Sequence, residues 1–175
     1  MTPQRKCLIK KQARTILEDN QILEPPVPVE KIAKALGANL RFSPLDDELS
    51  GMIYIKDCKP IIGINALHHP NRRRFTIAHE CGHLILHRAL IKKEVHVDKA
   101  FPMLMRDSIS SSGVNNMEIE ANHFAAELLM PESLLIFAIG GKTFDIDDEG
   151  VVTAFAKNFQ VSTAAMRFRL GKLIV

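Results

Sequence analysis

Residues 75–88 read FTIAHECGHLILHR and set three histidines and a glutamate into a stretch otherwise suited to the core side of a helix. At about 100° per residue, Thr76, His79, Glu80, His83 and His87 share one arc, while Ile77, Ala78, Cys81, Leu84 and Ile85 fill the opposite side. His79 and His83 stand at i and i+4, so their imidazoles leave the same face one turn apart and can converge on a single divalent ion. Zn²⁺ suits such donors, with Zn–N distances of about 2.0–2.1 Å. Glu80 lies at the edge of that face, too far round for a comfortable ligand but placed to hold a water at the ion and take its proton. The chemistry this spacing supports is metal-assisted hydrolysis of a polarised carbonyl.

A catalytic zinc keeps three protein ligands and one open position. A third histidine six residues after His83 is excluded, because that position is Ala89 and Leu86 stands where the three-histidine pattern needs glycine. His87 lies about 6 Å beyond His83 along a helix and is given a supporting or surface place. The acid must then come from downstream, where MEIEANHFAAELLM (117–130) offers Glu118, Glu120 and Glu127. On its wheel Ala121, Asn122, Ala125, Leu128 and Leu129 make the buried face with Glu118 in its middle, and Glu120, His123 and Glu127 gather on the other side. A carboxylate on an apolar face is costly unless something neutralises it. A metal would, so Glu118 is the expected third ligand, and Asn122 one turn on is expected to hydrogen-bond the outer nitrogen of a ligand histidine.

Two alternatives stay open on these residues. Glu118 could be the inner member of a capping box begun by Asn115, and Glu120 could be the ligand. A rival metal reading pairs Glu80–His83 with Glu120–His123, both Glu-x-x-His as in di-iron helical bundles. It needs two more helices with inward glutamates and leaves His79 without a role.

The elements that must position these groups are legible around them. Residues 4–19 are helix-like, with Cys7, Leu8, Ala13, Ile16 and Leu17 as the apolar stripe, and EPPVPV at 24–29 is a break. VEKIAKALG follows as a short helix ended by Gly37. Strands are expected at 39–43, 51–56 and 60–65, the last two joined by a turn at 57–59. Pro70 can open the histidine helix, since proline in a first turn forfeits no hydrogen bond. Residues 89–113 show no period and read as a long loop. Pro131 stops the glutamate helix.

The chain has 175 residues, 46% hydrophobic and 25% charged, with net charge +3. That is enough for one ordinary core and too little charge to imply nucleic acid or membrane by itself. Three widely spaced cysteines outline no disulfide framework, and there is no apolar leader or run of about 18 apolar residues. The expectation is a cytoplasmic protein with no membrane contact.

RFTIAHECGHLILHR followed by EIEANHFAAELLMP resembles the ImmA/IrrE family of small bacterial metallopeptidases, and SGMIYI…KPIIGIN extends the likeness over roughly 27–135. The resemblance implies zinc held by His79, His83 and Glu118, with Glu80 as catalytic base. It also implies an α+β, zincin-like core of a small sheet, an HExxH helix and a glutamate helix. Cys81 departs from the larger aliphatic residue usual there. The family further implies a substrate, an XRE-like helix–turn–helix repressor inactivated by one specific cut, and with the sequence ending at Val175 the expected form is the minimal one. The domain expectation is a core over 1–130 with a helical, helix–turn–helix-like segment over 131–175 packed on it. Within 151–172, Lys157, Arg167, Arg169 and Lys172 make DNA binding an alternative, offset by the acidic residues of 145–149 just before. A structural zinc in a DNA-binding regulator, or in a module that holds a partner without cutting it, is the competing reading. An extended substrate peptide is expected at the edge of the 51–56 or 60–65 strand.

Overall fold

The computed structural model describes residues 1–91, 96–99, 113–141 and 145–173. In chain order the elements are α1 (Pro3–Asp19), α2 (Val29–Ala35), β1 (Asn39–Ser43), β2 (Leu49–Lys56), β3 (Lys59–Asn65), α3 (Pro70–Leu86), α4 (Arg88–Ile91), β4 (His96–Lys99), α5 (Gly113–Leu129), α6 (Glu132–Ile139), α7 (Glu149–Phe159) and α8 (Thr163–Gly171). The mixed α+β architecture fits a zincin-like core.

The strands form one sheet in the order β1-β3-β2-β4. β2 and β3 are an antiparallel hairpin whose two turn residues, Asp57 and Cys58, both have positive φ, at 50° and 61°. This is the backbone that a two-residue connection needs to match strand twist. β1 runs parallel to β3, from Asn39 opposite Ile61 to Ser43 opposite Asn65. The expected strand at 39–43 is present as read. The segment read as a long loop instead contributes α4 and β4, and β4 pairs antiparallel with β2. That addition corrects the expected docking edge. β4 covers β2 from Leu49 to Ile53 and β1 covers β3 from Ile61 to Asn65, so a peptide cannot add along those residues, and among the described residues the outer strands are β1 and β4.

Alternating residues of the hairpin, Ile53 on β2 and Ile62 and Ile64 on β3, are fully buried. They pack beneath α3, whose Ile77, Ala78, Cys81 and Leu84 face the same core. α5 lies against α3, and α1 against α5. In α1 the buried stripe is Ile9, Ala13, Ile16 and Leu17, while Cys7 and Leu8 are exposed. The expected stripe was therefore rotated by about one residue at its start. Thr2 caps α1 by accepting from the Arg5 amide at 3.3 Å, and Pro3 in the first turn costs no hydrogen bond.

Among the described residues no helix is long and apolar enough to cross a membrane.

Candidate metal centre

Pro70 starts α3 and His69 caps it, its Nδ1 accepting from the Asn71 amide at 3.2 Å. From there the helix runs unbroken through the histidine stretch, and the residues of Thr76–Leu84 are all buried. The helix beside it approaches closely because of one residue. A Cβ on Gly82 would lie 3.1 Å from the Cα of Ala121, 3.2 Å from its carbonyl oxygen and 3.2 Å from a ring carbon of Phe124. Gly82 thus lets the backbones of α3 and α5 approach each other directly at Ala121. The contact falls between Glu118 and Asn122, which places both opposite His79 and His83.

The Nε2 atoms of His79 and His83 are 3.0 Å apart. Glu118 offers Oε2 at 3.2 Å from His79 Nε2 and Oε1 at 3.2 Å from His83 Nε2. Two donors each about 2.0–2.1 Å from one tetrahedral ion stand about 3.3 Å from each other, so the three side chains have the mutual spacing of a ligand set. Tautomer agrees with spacing. His79 Nδ1 lies 3.0 Å from Asn122 Oδ1. The amide oxygen can only accept, so the ring proton belongs on Nδ1 and the Nε2 lone pair faces His83 and Glu118. These three residues are a possible metal site.

Glu80 is 0% exposed, His79 2% and His83 1%. The Glu118 side chain keeps 19% exposure and Asn122 is exposed. The centre therefore has a dry floor on the sheet side, where Glu80 lies, and opens to solvent along the Glu118–Asn122 edge of α5. The helical wheel puts Asn122 in the buried face, but in the structure it is exposed. Phe124, fully buried, belongs there instead, and Asn122 stands at the lip.

α5 begins at Gly113, so Asn115 lies inside the helix and does not cap it. Glu120 is engaged elsewhere: Arg5 of α1 donates to it from Nε at 2.8 Å and Nη2 at 2.5 Å. That pair of hydrogen bonds, more than the burial opposing it, holds the Glu120 carboxyl below its ordinary range. His123 lies 4.0 Å from Glu127, not against Glu80 or His83, so the second Glu-x-x-His pair does not join the first. His87 ends α3 with its Nε2 3.6 Å from Glu120, a supporting place as expected. Burial, with the Glu80 charge beside it, pushes the Cys81 thiol up to about 12. It stays protonated among core residues and offers no thiolate ligand.

One buried group was missed by helical pattern. Glu127, placed on the polar side of α5, is 6% exposed and receives Arg169 from α8 through two bonds of 2.6 and 2.7 Å, while Arg169 Nε donates to the Met130 carbonyl at 3.0 Å. The 42-residue separation leaves no local trace of the pair. Asn71 and Arg74 of α3 likewise reach the turn between α7 and α8, donating to the carbonyls of Val161 and Gln160. Of the cations that favoured DNA, Arg169 is thus internal. Arg167 donates to the Ile146 carbonyl at 3.1 Å and Lys172 lies 4.0 Å from the centroid of the Phe168 ring.

Comparison with known proteins follows the same lines. No curated protein matches the chain significantly. Among solved structures, a Mycobacterium tuberculosis transcriptional regulator superposes with a TM-score of 0.60 at 18% identity, over 93% of this chain and 55% of that one. The chain thus spans about half the length of that regulator, and the likeness is one of fold. Residues 33–171 match the family described as the IrrE N-terminal-like domain, a peptidase family. With most of its length inside that match, the chain belongs to the IrrE N-terminal-like family of M78 peptidases.

Proposed function

We propose that this protein is a zinc-dependent endopeptidase of the cytoplasm that cuts a helix–turn–helix repressor at one site. The observation that carries the reading is the set of 3.0–3.2 Å separations among His79, His83 and Glu118, with the Glu80 carboxylate buried on the same face of α3. Family membership supports a peptidase, and the superposed structure is itself named a transcriptional regulator.

In this reading His79, His83 and Glu118 hold the ion, and Asn122 fixes the ring of His79. When bound, a divalent ion supplies a polarised substrate carbonyl and a water that loses its proton near neutral pH. Glu80 receives that proton in its dry pocket and returns it to the leaving amine as the peptide bond breaks. The open lip along Glu118 and Asn122 admits the substrate. An extended peptide would add to the outer edge of β4, the strand next to β2, using main-chain hydrogen bonds for alignment.

The same reading divides the chain into a peptidase core over 1–130 and a helix–turn–helix-like segment over 131–175 that braces it. Arg169 gripped by Glu127 and Met130 favours bracing over DNA contact for that segment.

The test is incubation with an XRE-like helix–turn–helix repressor, followed by mass spectrometry. One cut is expected, lost in Glu80→Gln while zinc is retained. Cleavage by Glu80→Gln at the wild-type rate would remove Glu80 from the chemistry, and an intact repressor with zinc-loaded wild-type protein would leave only a binding role.

A further inference from the structure

β2 does not run straight past Glu80. Its register with β4 slips where Leu49 opposes Lys99 and Gly51 opposes Asp98, which leaves Ser50 as an extra residue in β2. Side chains from outside the strand hold this bulge. The fully buried Asn65 donates from Nδ2 to the Leu49 carbonyl at 3.0 Å. Arg72, in the first turn of α3, donates from Nη2 to Ser50 Oγ at 3.0 Å. The next residue then meets the face of α3. A Cβ on Gly51 would lie 2.4 Å from Thr76 Cγ2, 2.9 Å from the Gly63 carbonyl oxygen and 3.4 Å from Glu80 Oε1. The tight approach is to Thr76 and the Gly63 carbonyl, while Glu80, one helical turn after Thr76 on the same row of α3, stands at ordinary van der Waals reach of that position. Only a hydrogen fits there.

We propose that the Ser50–Gly51 bulge positions the Glu80 carboxylate, with Gly51 seated against Thr76 one turn before it and Ser50, Arg72 and Asn65 as the groups that hold the bulge in place. The catalytic consequence rests on the peptidase reading; the geometric part does not. A glutamate side chain has several torsions, and a base that drifts by about 1 Å can lose about 100-fold in rate. Bulges beside active sites serve to re-aim groups in this way. Here the re-aiming acts through a wall: the strand is brought inward at Gly51, and Arg72 ties the bulge to the same helix that bears Glu80.

The test uses the full chain loaded with zinc and the variants Gly51→Ala and Ser50→Ala, each followed by crystal structure, zinc content, Tm and cleavage of an XRE-like helix–turn–helix repressor. Gly51→Ala is expected to keep its zinc while the Glu80 carboxylate moves, with kcat down about 100-fold and KM within about twofold, the pattern of an interaction that matters only in the transition state. Ser50→Ala, which loses the Arg72 hydrogen bond without crowding, is expected to lower kcat about tenfold in the same way. An unmoved Glu80 carboxylate in Gly51→Ala, or activity that falls only in step with Tm and zinc content, overturns the proposal. Should Gly51→Ala fail to fold, Ser50→Ala decides it: an unmoved Glu80 there overturns the proposal equally. A wild-type protein that never cuts the repressor overturns the peptidase reading instead, and the crystal structures still judge the bulge.

Discussion

At one end of α5, Glu118 faces the Nε2 atoms of His79 and His83 at 3.2 Å; at the other, Glu127 is clamped by the Arg169 guanidinium at 2.6 and 2.7 Å. Both carboxylates sit between helices, and both need positive charge to offset the cost of leaving water. The Glu127 end carries its cation on the chain. The Glu118 end presents two imidazoles, one with its ring proton directed outward to Asn122. An arrangement of lone pairs aimed at one point suits an added cation, whereas a bidentate guanidinium leaves no room for one. The comparison separates a brace from a binding centre on the same helix, and mutations at the two ends should fail differently.

The largest effect is expected at the centre. His83→Ala should abolish both stoichiometric zinc and repressor cleavage, read by metal analysis and mass spectrometry, because two remaining ligands do not make a catalytic zinc site. Wild-type metal content in that variant would contradict the ligand assignment.

Next comes the brace. Arg169→Leu leaves Glu127 buried without its partner and should cost about 3–5 kcal/mol in urea unfolding. The double variant Glu127→Leu with Arg169→Leu should recover most of that loss, since an apolar pair of similar volume often replaces a buried ion pair without penalty. Zinc content should stay near the wild-type level in the double variant. Loss of zinc there would show that the two ends of α5 are coupled.

A smaller effect, confined to the centre, is expected for Asn122→Ala. With the outer nitrogen of His79 unsupported, zinc affinity should fall about 10–100-fold in competition with a chelator, with little change in Tm of the metal-free protein.

The smallest belongs to Arg5→Ala. The Arg5–Glu120 pair is partly exposed, with side chains 32% and 16% accessible, and should contribute about 1 kcal/mol at neutral pH. Hydrogen bonding by Arg5 depresses the Glu120 pKa. The contribution is therefore full above the ordinary carboxylate range and lost as pH falls through the depressed value. Wild type and Arg5→Ala should differ in stability at pH 7 and converge in acid.

Part of this contrast is legible in the sequence. The i, i+4 histidines with the intervening glutamate, and Glu118 in the apolar face of the next helix, come from periodicity alone, and the fold brings His79, His83 and Glu118 together. Strand β1, the β2–β3 hairpin and the start of α3 at Pro70 were equally local. What stayed hidden depends on distant partners. Strand β4 lies in a segment without period and exists by pairing with β2. Glu127 reads as a surface residue until α8 folds back upon it. The role of Gly51 needs the approach of Thr76 and Glu80 from another element. A helical wheel reports which residues share a face, and it is silent on what will cover that face.

Metal analysis of Glu118→Gln beside Glu120→Gln, two acids one residue apart on either side of Ile119, tests the central claim most directly. Glu118→Gln should lose the divalent ion that wild type carries at about one per chain, and Glu120→Gln should keep it. Equal metal content in the two variants, or none in wild-type protein purified without chelator, would contradict the account.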